Sequence, residues 1–229
     1  MALALYAPGL GYYANSGAKF GTMPEGVKGE GSDFVTAPEL SPLFGQALAA
    51  QVGEALAATG TDEVWEFGAG SGALAQQLLG TLGETVRRYT IVDLSGTLRA
   101  RQQARLAGFG DTVRWVDALP EAIQGVVVGN EVLDAMPVKL LVRQGGQAGG
   151  VWWERGVALE GDALAWADRP TELRPPVEVE GPQDYLSEIH PQAEAFIATL
   201  ADRFRASLQS GGRGGAAFFL DYGFPESEY

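Results

Sequence analysis

Short apolar runs alternate with amphipathic stretches through the first half of the chain. Leu43, Phe44, Leu48, Val52 and Leu56 recur at helical spacing, after Ser41 as N-cap and Pro42 at the first helical position, with Gly60 as the stop. The series continues as strand Glu63–Phe67, helix Ala73–Leu82, strand Tyr89–Leu94, helix Thr97–Gly108, and strands Val113–Asp117 and Gly125–Gly129. Val- and Ile-rich runs between helices predict a parallel sheet covered on both faces. The rhythm changes after Pro137. Val138–Arg143, Val151–Arg155 and Ala163–Ala167 are strand-like pieces joined by glycines, which predicts an antiparallel β insertion. Helix Pro191–Leu208, with Phe196, Ile197, Leu200 and Phe204 on one face, and strand Ala216–Leu220 then return to the first pattern. Residues 8–40, rich in Gly, Pro and polar side chains, read as a long ordered arm, and a loop of that length normally has a task.

Composition narrows the chemistry. The 229 residues are 46% hydrophobic and 20% charged, with 16 Lys+Arg against 29 Asp+Glu and a net charge of −13. Absence of Cys excludes disulfides and thiolate chemistry, and a single His excludes paired-His zinc sites, so no metal is expected. The acidic balance opposes binding to a nucleic-acid backbone and leaves room for a cationic ligand or a basic protein substrate. No run reaches the length of a membrane span and the N-terminus lacks a signal-peptide pattern; a soluble intracellular protein is expected.

The strongest local motif is Glu66-Phe67-Gly68-Ala69-Gly70-Ser71-Gly72, between a strand and a helix. Glycines there allow a tight turn and let a ligand approach bare backbone at a helix N-terminus. Asp93 ends the next strand, where a carboxylate can accept both hydroxyls of a ribose. The pair predicts an adenosine-type cofactor. Gly68-x-Gly70-x-x-Ala73 also satisfies the dinucleotide pattern, which keeps NAD open. Glu66 would oppose a pyrophosphate but suit a sulfonium, and Gly72 opens the turn, so S-adenosylmethionine is favoured. At the end of the fourth strand, Asn130, Glu131 and Asp134 lie where an open α/β sheet places substrates, and carboxylates there suit a guanidinium or amine. Asp221, Tyr222 and Glu188 are further candidates for the substrate side, with Asp221 as a loop cap the alternative. His190 reads as a helix-start or surface residue, and Trp152-Trp153 as a partner surface or as packing of the small β unit.

The chain resembles the MidA family of S-adenosylmethionine-dependent class I methyltransferases. The matching runs are Leu5 to Tyr13, Asp33 to Gly45, Glu66 to Gly72, Asp93-Leu94-Ser95 with Leu98-Arg99 and Gln102, Asn130-Glu131 with Leu133-Asp134 and Pro137, and Asp221-Tyr222-Gly223. The resemblance implies a Rossmann-like class I methyltransferase fold, S-adenosylmethionine as cofactor, and arginine methylation of a partner protein. In eukaryotes it implies the mitochondrial matrix and assembly of respiratory complex I; in bacteria, the cytoplasm. It implies Gly68, Gly70 and Gly72 as the cofactor loop, Glu66 at its entrance, Asp93 as the ribose acid, and the segment from Gly31 to Phe44, with Asp33 and Thr36, over the cofactor. Asp117 stands at the strand end where many methyltransferases contact adenine. The expected organisation is an arm at 1–40, a core at 41–137 and 191–229, and a β insertion at 138–190. The family usually continues beyond Asp-Tyr-Gly. The end at Tyr229 therefore suggests an exposed sheet edge, with self-association or lost activity. Three readings stand: an active protein methyltransferase with Asn130, Glu131 and Asp134 as catalytic residues, a cofactor-binding assembly factor, and an NAD-type oxidoreductase.

Overall fold

A computed structural model describes residues 1–13, 35–93, 96–145, 151–177, 181 and 183–223. The chain divides into two compact units, one of Met1–Leu3 with Met136–Phe196 and the other of Ala4–Ala135 with Ile197–Tyr229.

The larger unit is built on a five-stranded parallel sheet. A short helix α1 (Ala2–Tyr6) opens the chain, and α2 (Ala37–Leu40) and α3 (Pro42–Thr59) precede β1 (Glu63–Phe67). There follow α4 (Ala73–Leu82), β2 (Arg88–Val92), α5 (Gly96–Leu106), β3 (Val113–Val116) and β4 (Gly125–Asn130). The strand order is β3-β2-β1-β4-β9, with β9 (Gly215–Leu220) beside β4. The run β1 to β3 builds outward in one direction and β4 returns to the other side of β1, so the order reverses between β1 and β4. A crevice at the carboxyl ends of strands flanking such a reversal is where open α/β sheets take ligands. Phe67 lies level with Gly129 across that pair, which brings the glycine turn and the Asn130 segment to the same sheet end.

Both faces of the sheet are covered, as the uninterrupted apolar runs require: Val64, Tyr89, Ile91 and Val126 to Val128 are fully buried. α3 starts and stops as read, with Ser41 Oγ accepting from the Leu43 amide and Gly60 in the left-handed region at φ 63°. Its buried stripe runs through Leu48, Ala49, Val52 and Leu56, whereas Leu43, expected on that stripe, is exposed. Gly125 enters β4 at φ 106°, and a Cβ there would stand 2.1 Å from the Glu63 carbonyl oxygen. Only glycine lets those two strands begin side by side.

The smaller unit holds the antiparallel sheet β7-β6-β5-β8, of β5 (Lys139–Arg143), β6 (Trp152–Glu160), β7 (Ala163–Pro170) and β8 (Tyr185–Ile189). β6 and β7 run longer than their apolar patterns suggested, and β8 is a full strand where the sequence marked only a strand-like end at Glu188. Trp152 is buried, edge-on to Tyr185 with Arg143 over its ring, so it packs this unit and is no surface for a partner. The last helix, α6 (Pro191–Gln209), buries Ala193, Leu200 and Ser207, while Ile197, expected inward, is exposed.

Candidate active site

The β1–α4 turn carries the glycine motif. Gly68, Gly70 and Gly72 take φ of 63°, 53° and 85°, a left-handed series that residues with side chains rarely adopt. The Gly72 amide donates to the Ala69 carbonyl at 2.7 Å, closing the turn, and Gly72 caps α4. A Cβ on Gly68 would reach Val132 at 3.0 Å, so this glycine also gives room to the loop after β4.

Asp93 follows β2, and its carboxylate accepts from Gln102 Nε2 at 2.7 Å. The Asp93 carbonyl accepts from Arg99 at 2.9 Å, and Arg99 also pairs with the mostly exposed Asp117. Arg99 thus ties together the ends of β2 and β3. Thr36 precedes α2, its carbonyl accepting from the Glu39 amide at 2.9 Å. Asp33 lies outside the described residues.

Glu66 behaves differently from the sequence argument. It is 2% exposed and accepts from the Tyr89 hydroxyl at 2.8 Å. Burial pushes its carboxyl up to about 8, opposed by the tyrosine hydrogen bond and reinforced by nearby Asp93. At neutral pH it is mostly protonated, so little negative charge is expected at this position. The phenol of Tyr89 is raised well above its usual range by the same burial.

A clamp absent from the motif reading fixes the N-terminal segment to the glycine turn. Glu39 of α2 accepts from Ser71 Oγ and pairs with Arg105 of α5 at 3.3 Å, while Arg105 also donates to Ser71. Gln77 of α4 completes it, accepting from the Gly45 amide at 3.0 Å and donating to the Pro38 carbonyl at 2.7 Å. Glu39→Ala is expected to weaken S-adenosylhomocysteine binding three- to tenfold and cost about 1 kcal/mol of stability, read by calorimetry and urea unfolding. An unchanged affinity would show that the turn keeps its shape without the clamp.

On the other side of the β1–β4 boundary, Asn130, Glu131 and Asp134 are brought together. Glu131 adopts φ 53°, and no other non-glycine residue among those described has a positive φ. Its amide donates to the Leu220 carbonyl at 2.8 Å, and the next three amides, of Val132, Leu133 and Asp134, donate to the Asp221 carboxylate at 3.2, 2.9 and 3.1 Å. Asp221 is therefore the loop cap. Asn130 Nδ2 reaches Glu131 Oε1 at 3.5 Å, the outer limit of such a bond. Burial first, and then neighbouring carboxylates, raise the Glu131 and Asp134 carboxyls above their ordinary range.

Two tyrosines that were not singled out as candidates stand beside these acids. The Tyr6 hydroxyl donates to the Ala135 carbonyl at 2.6 Å, and the Tyr6 and Tyr13 rings stack with centroids 5.5 Å apart. Burial raises both phenols, as do Asp134 for both and Glu131 for Tyr13. The signal available was the aromatic spacing Tyr6, Tyr12, Tyr13 in the run that carries the family resemblance. Among the described residues, no group of three His, Asp or Glu side chains is arranged to hold a metal ion, and no helix is long and apolar enough to cross a membrane.

Residues 47–229 match the sequence model of a family described as "Putative S-adenosyl-L-methionine-dependent methyltransferase". The chain belongs to this family. A related Burkholderia thailandensis protein, solved bound to S-adenosyl-homocysteine, is 47% identical with a TM-score of 0.80, covering 100% of this chain and 58% of that one. A second, native structure from the same organism is 45% identical with a TM-score of 0.75, covering 100% of this chain and 56% of the other. Among curated relatives, the mitochondrial protein arginine methyltransferase NDUFAF7 of Danio rerio is 26% identical over 96% of this chain and 56% of its own length. The Caenorhabditis elegans homologue is 25% identical over 97% and 57%. The chain thus spans little more than half the length of these family members. The Rossmann-like sheet with its antiparallel insertion agrees with the fold that the family resemblance implied.

Proposed function

We propose that this chain carries the cofactor- and acceptor-binding core of an S-adenosylmethionine-dependent protein arginine N-methyltransferase. One observation carries the reading: the glycine turn with Asp93 and the Glu131–Asp134 loop meet at the same end of the adjacent strands β1 and β4. The residues present fit the cofactor. Three left-handed glycines at alternate positions expose backbone at the start of α4, and a carboxylate stands at the end of β2. The related structure bound to S-adenosyl-homocysteine supports the same ligand here over NAD. When bound, S-adenosylmethionine supplies an activated methyl group on a sulfonium.

In this reading Gly68, Gly70 and Gly72 receive the amino-acid end, Asp93 accepts the ribose hydroxyls, and Thr36 and Asp117 lie along the ligand. The acceptor guanidinium sits among Asn130, Glu131 and Asp134. Crowded carboxylates repel one another, and a planar cation relieves that repulsion through charge-assisted hydrogen bonds. Their raised basicity also suits them to take the proton that leaves the acceptor nitrogen. Tyr6 and Tyr13 would offer faces to the same cation. A partner protein is the natural acceptor, since the curated relatives are protein arginine methyltransferases; the reading places the protein in the cytoplasm of a bacterium or the mitochondrial matrix of a eukaryote.

The test incubates the protein with methyl-labelled cofactor and a lysate of cells lacking it, followed by hydrolysis and amino-acid analysis. Label in methylarginine is expected, and Glu131→Gln and Asp134→Asn should each lower it at least tenfold while S-adenosylhomocysteine affinity changes less than threefold. Label in another residue, or none lost in either variant, overturns the arginine assignment. Tight cofactor binding with no transfer to any protein favours a cofactor-binding assembly factor.

A further inference from the structure

Gln102 is fully buried in the middle of α5 and makes three hydrogen bonds to three different elements. Its Nε2 donates to the Gly70 carbonyl at 3.0 Å and to Asp93 Oδ2 at 2.7 Å, while its Oε1 accepts from Trp115 Nε1 of β3 at 2.9 Å. The indole nitrogen is donor-only, so the amide has one orientation: oxygen toward Trp115, nitrogen toward two acceptors that cannot donate. The side chain therefore cannot flip without facing donor against donor at one end and acceptor against acceptor at the other. Gly72 fits the same arrangement, since a Cβ there would lie 3.5 Å from Gln102 Cα; the glycine turn and α5 lie against each other at this point.

Three parts of the cofactor side thus meet at one amide: the middle of the glycine turn, the acid at the end of β2 and the strand β3. A carboxylate that must accept two adjacent hydroxyls gains most when its rotation is fixed before the ligand arrives, because the ordering is already done. Nothing else in the site reading gives Gln102 a task, although a buried polar side chain in a helix is costly unless fully bonded.

We propose that Gln102 is a positioning residue that sets the rotation of the Asp93 carboxylate and its distance from the Gly70 turn, and so determines how strongly the site selects a ribose with both hydroxyls. This rests on Asp93 as the ribose acid. The three bonds of Gln102 are all to protein groups. It acts through Asp93.

The test measures, by calorimetry, affinities for S-adenosylhomocysteine and for its 2′-deoxyribose analogue, and takes their ratio. A merely structural loss lowers both affinities together and leaves the ratio alone. In the wild type the ribose form should bind at least tenfold tighter. Asp93→Ala should bring the ratio close to one. Gln102→Glu keeps the size and the acceptor toward Trp115 but removes the donor toward Asp93, and should lower the ratio at least fivefold at pH 8. Acidification should restore part of it as the introduced carboxyl takes up a proton and can donate again. In the Asp93→Ala background the Gln102→Glu change should have no further effect on the ratio. Trp115→Phe, which removes one of the three bonds that hold the amide and so loosens it, provides a second route and should lower the ratio two- to threefold.

If Asp93→Ala removes selectivity while Gln102→Glu and Trp115→Phe keep the wild-type ratio, the positioning role is overturned and the ribose assignment survives. Should Asp93→Ala itself keep the wild-type ratio, both fall together.

Discussion

Glu66→Gln should make the protein more stable than wild type above neutral pH, by an amount that grows with pH. The folded-state carboxyl titrates near 8, whereas in the unfolded chain it titrates near the ordinary 4.5. Between those values the folded state holds a proton that the unfolded state releases, so each rise in pH favours unfolding. The wild-type contribution is fully present below about pH 4.5, declines by more than about 1 kcal/mol per pH unit, and is lost once pH passes about 8. Glutamine keeps the size and an oxygen for the Tyr89 hydroxyl but cannot ionise. The difference in unfolding free energy between variant and wild type should therefore be flat at low pH, climb through neutrality, and level off at about 5 kcal/mol above pH 8. Urea unfolding at a series of pH values reads this directly. A difference independent of pH between 5 and 9 would mean that Glu66 ionises freely in the fold.

That expectation changes what Glu66 contributes to ligand binding. An acid at a strand end beside a glycine turn reads from sequence as a negative charge for a sulfonium. Strand periodicity, however, does not report which way the end residue turns. Glu66 meets the hydroxyl of Tyr89 on the neighbouring strand, a partner twenty-three positions away that no local pattern identifies.

The sheet was legible because buried parallel strands leave uninterrupted apolar runs: Val126 to Val128 and Tyr89 to Ile91 are close to solvent-free on both faces. The caps of α3 were legible because Ser41-Pro42 and Gly60 are local chemistry. Failures came where packing is long-range. Leu43 and Ile197 fit a helical stripe by spacing yet face solvent, and β8 is a strand because β5 needs a partner, not because Tyr185–Ile189 announces one. At the site, glycine spacing located the turn, but the groups bonded to it, Glu39, Gln102 and Arg105, come from two other helices and became visible only in three dimensions. Asp221 shows the same limit. Its sequence position allowed either a substrate contact or a loop cap, and the geometry resolves it to the cap.

Asp221→Ala should abolish methyl transfer in the proposed reaction, by more than a hundredfold, while leaving cofactor affinity within threefold of wild type. Between the anchors at its two ends, the Glu131 amide on Leu220 and the Ala135 carbonyl on Tyr6, one Asp221 carboxylate gathers three successive amides of the loop, and Glu131 sits in a left-handed conformation, strained for a residue with a side chain. Removing that acceptor leaves the Val132 and Leu133 amides, both partly buried, without partner, a loss of about 2 kcal/mol or more. Relaxation of Glu131 toward ordinary backbone angles would then turn both proposed catalytic acids away from the acceptor. Hydrogen exchange separates this from general unfolding: the amides of 132–134 should lose protection, while those of β1 and α4 retain it. Asp221→Asn is the sharper control. Its amide oxygen still accepts hydrogen bonds, so most of the stability should remain, but it carries no charge and its nitrogen faces donors it cannot satisfy. Transfer should fall to a value between wild type and Asp221→Ala. Transfer within threefold of wild type in Asp221→Ala, with 132–134 protection lost, would show that the reaction does not use the Glu131–Asp134 loop in this conformation.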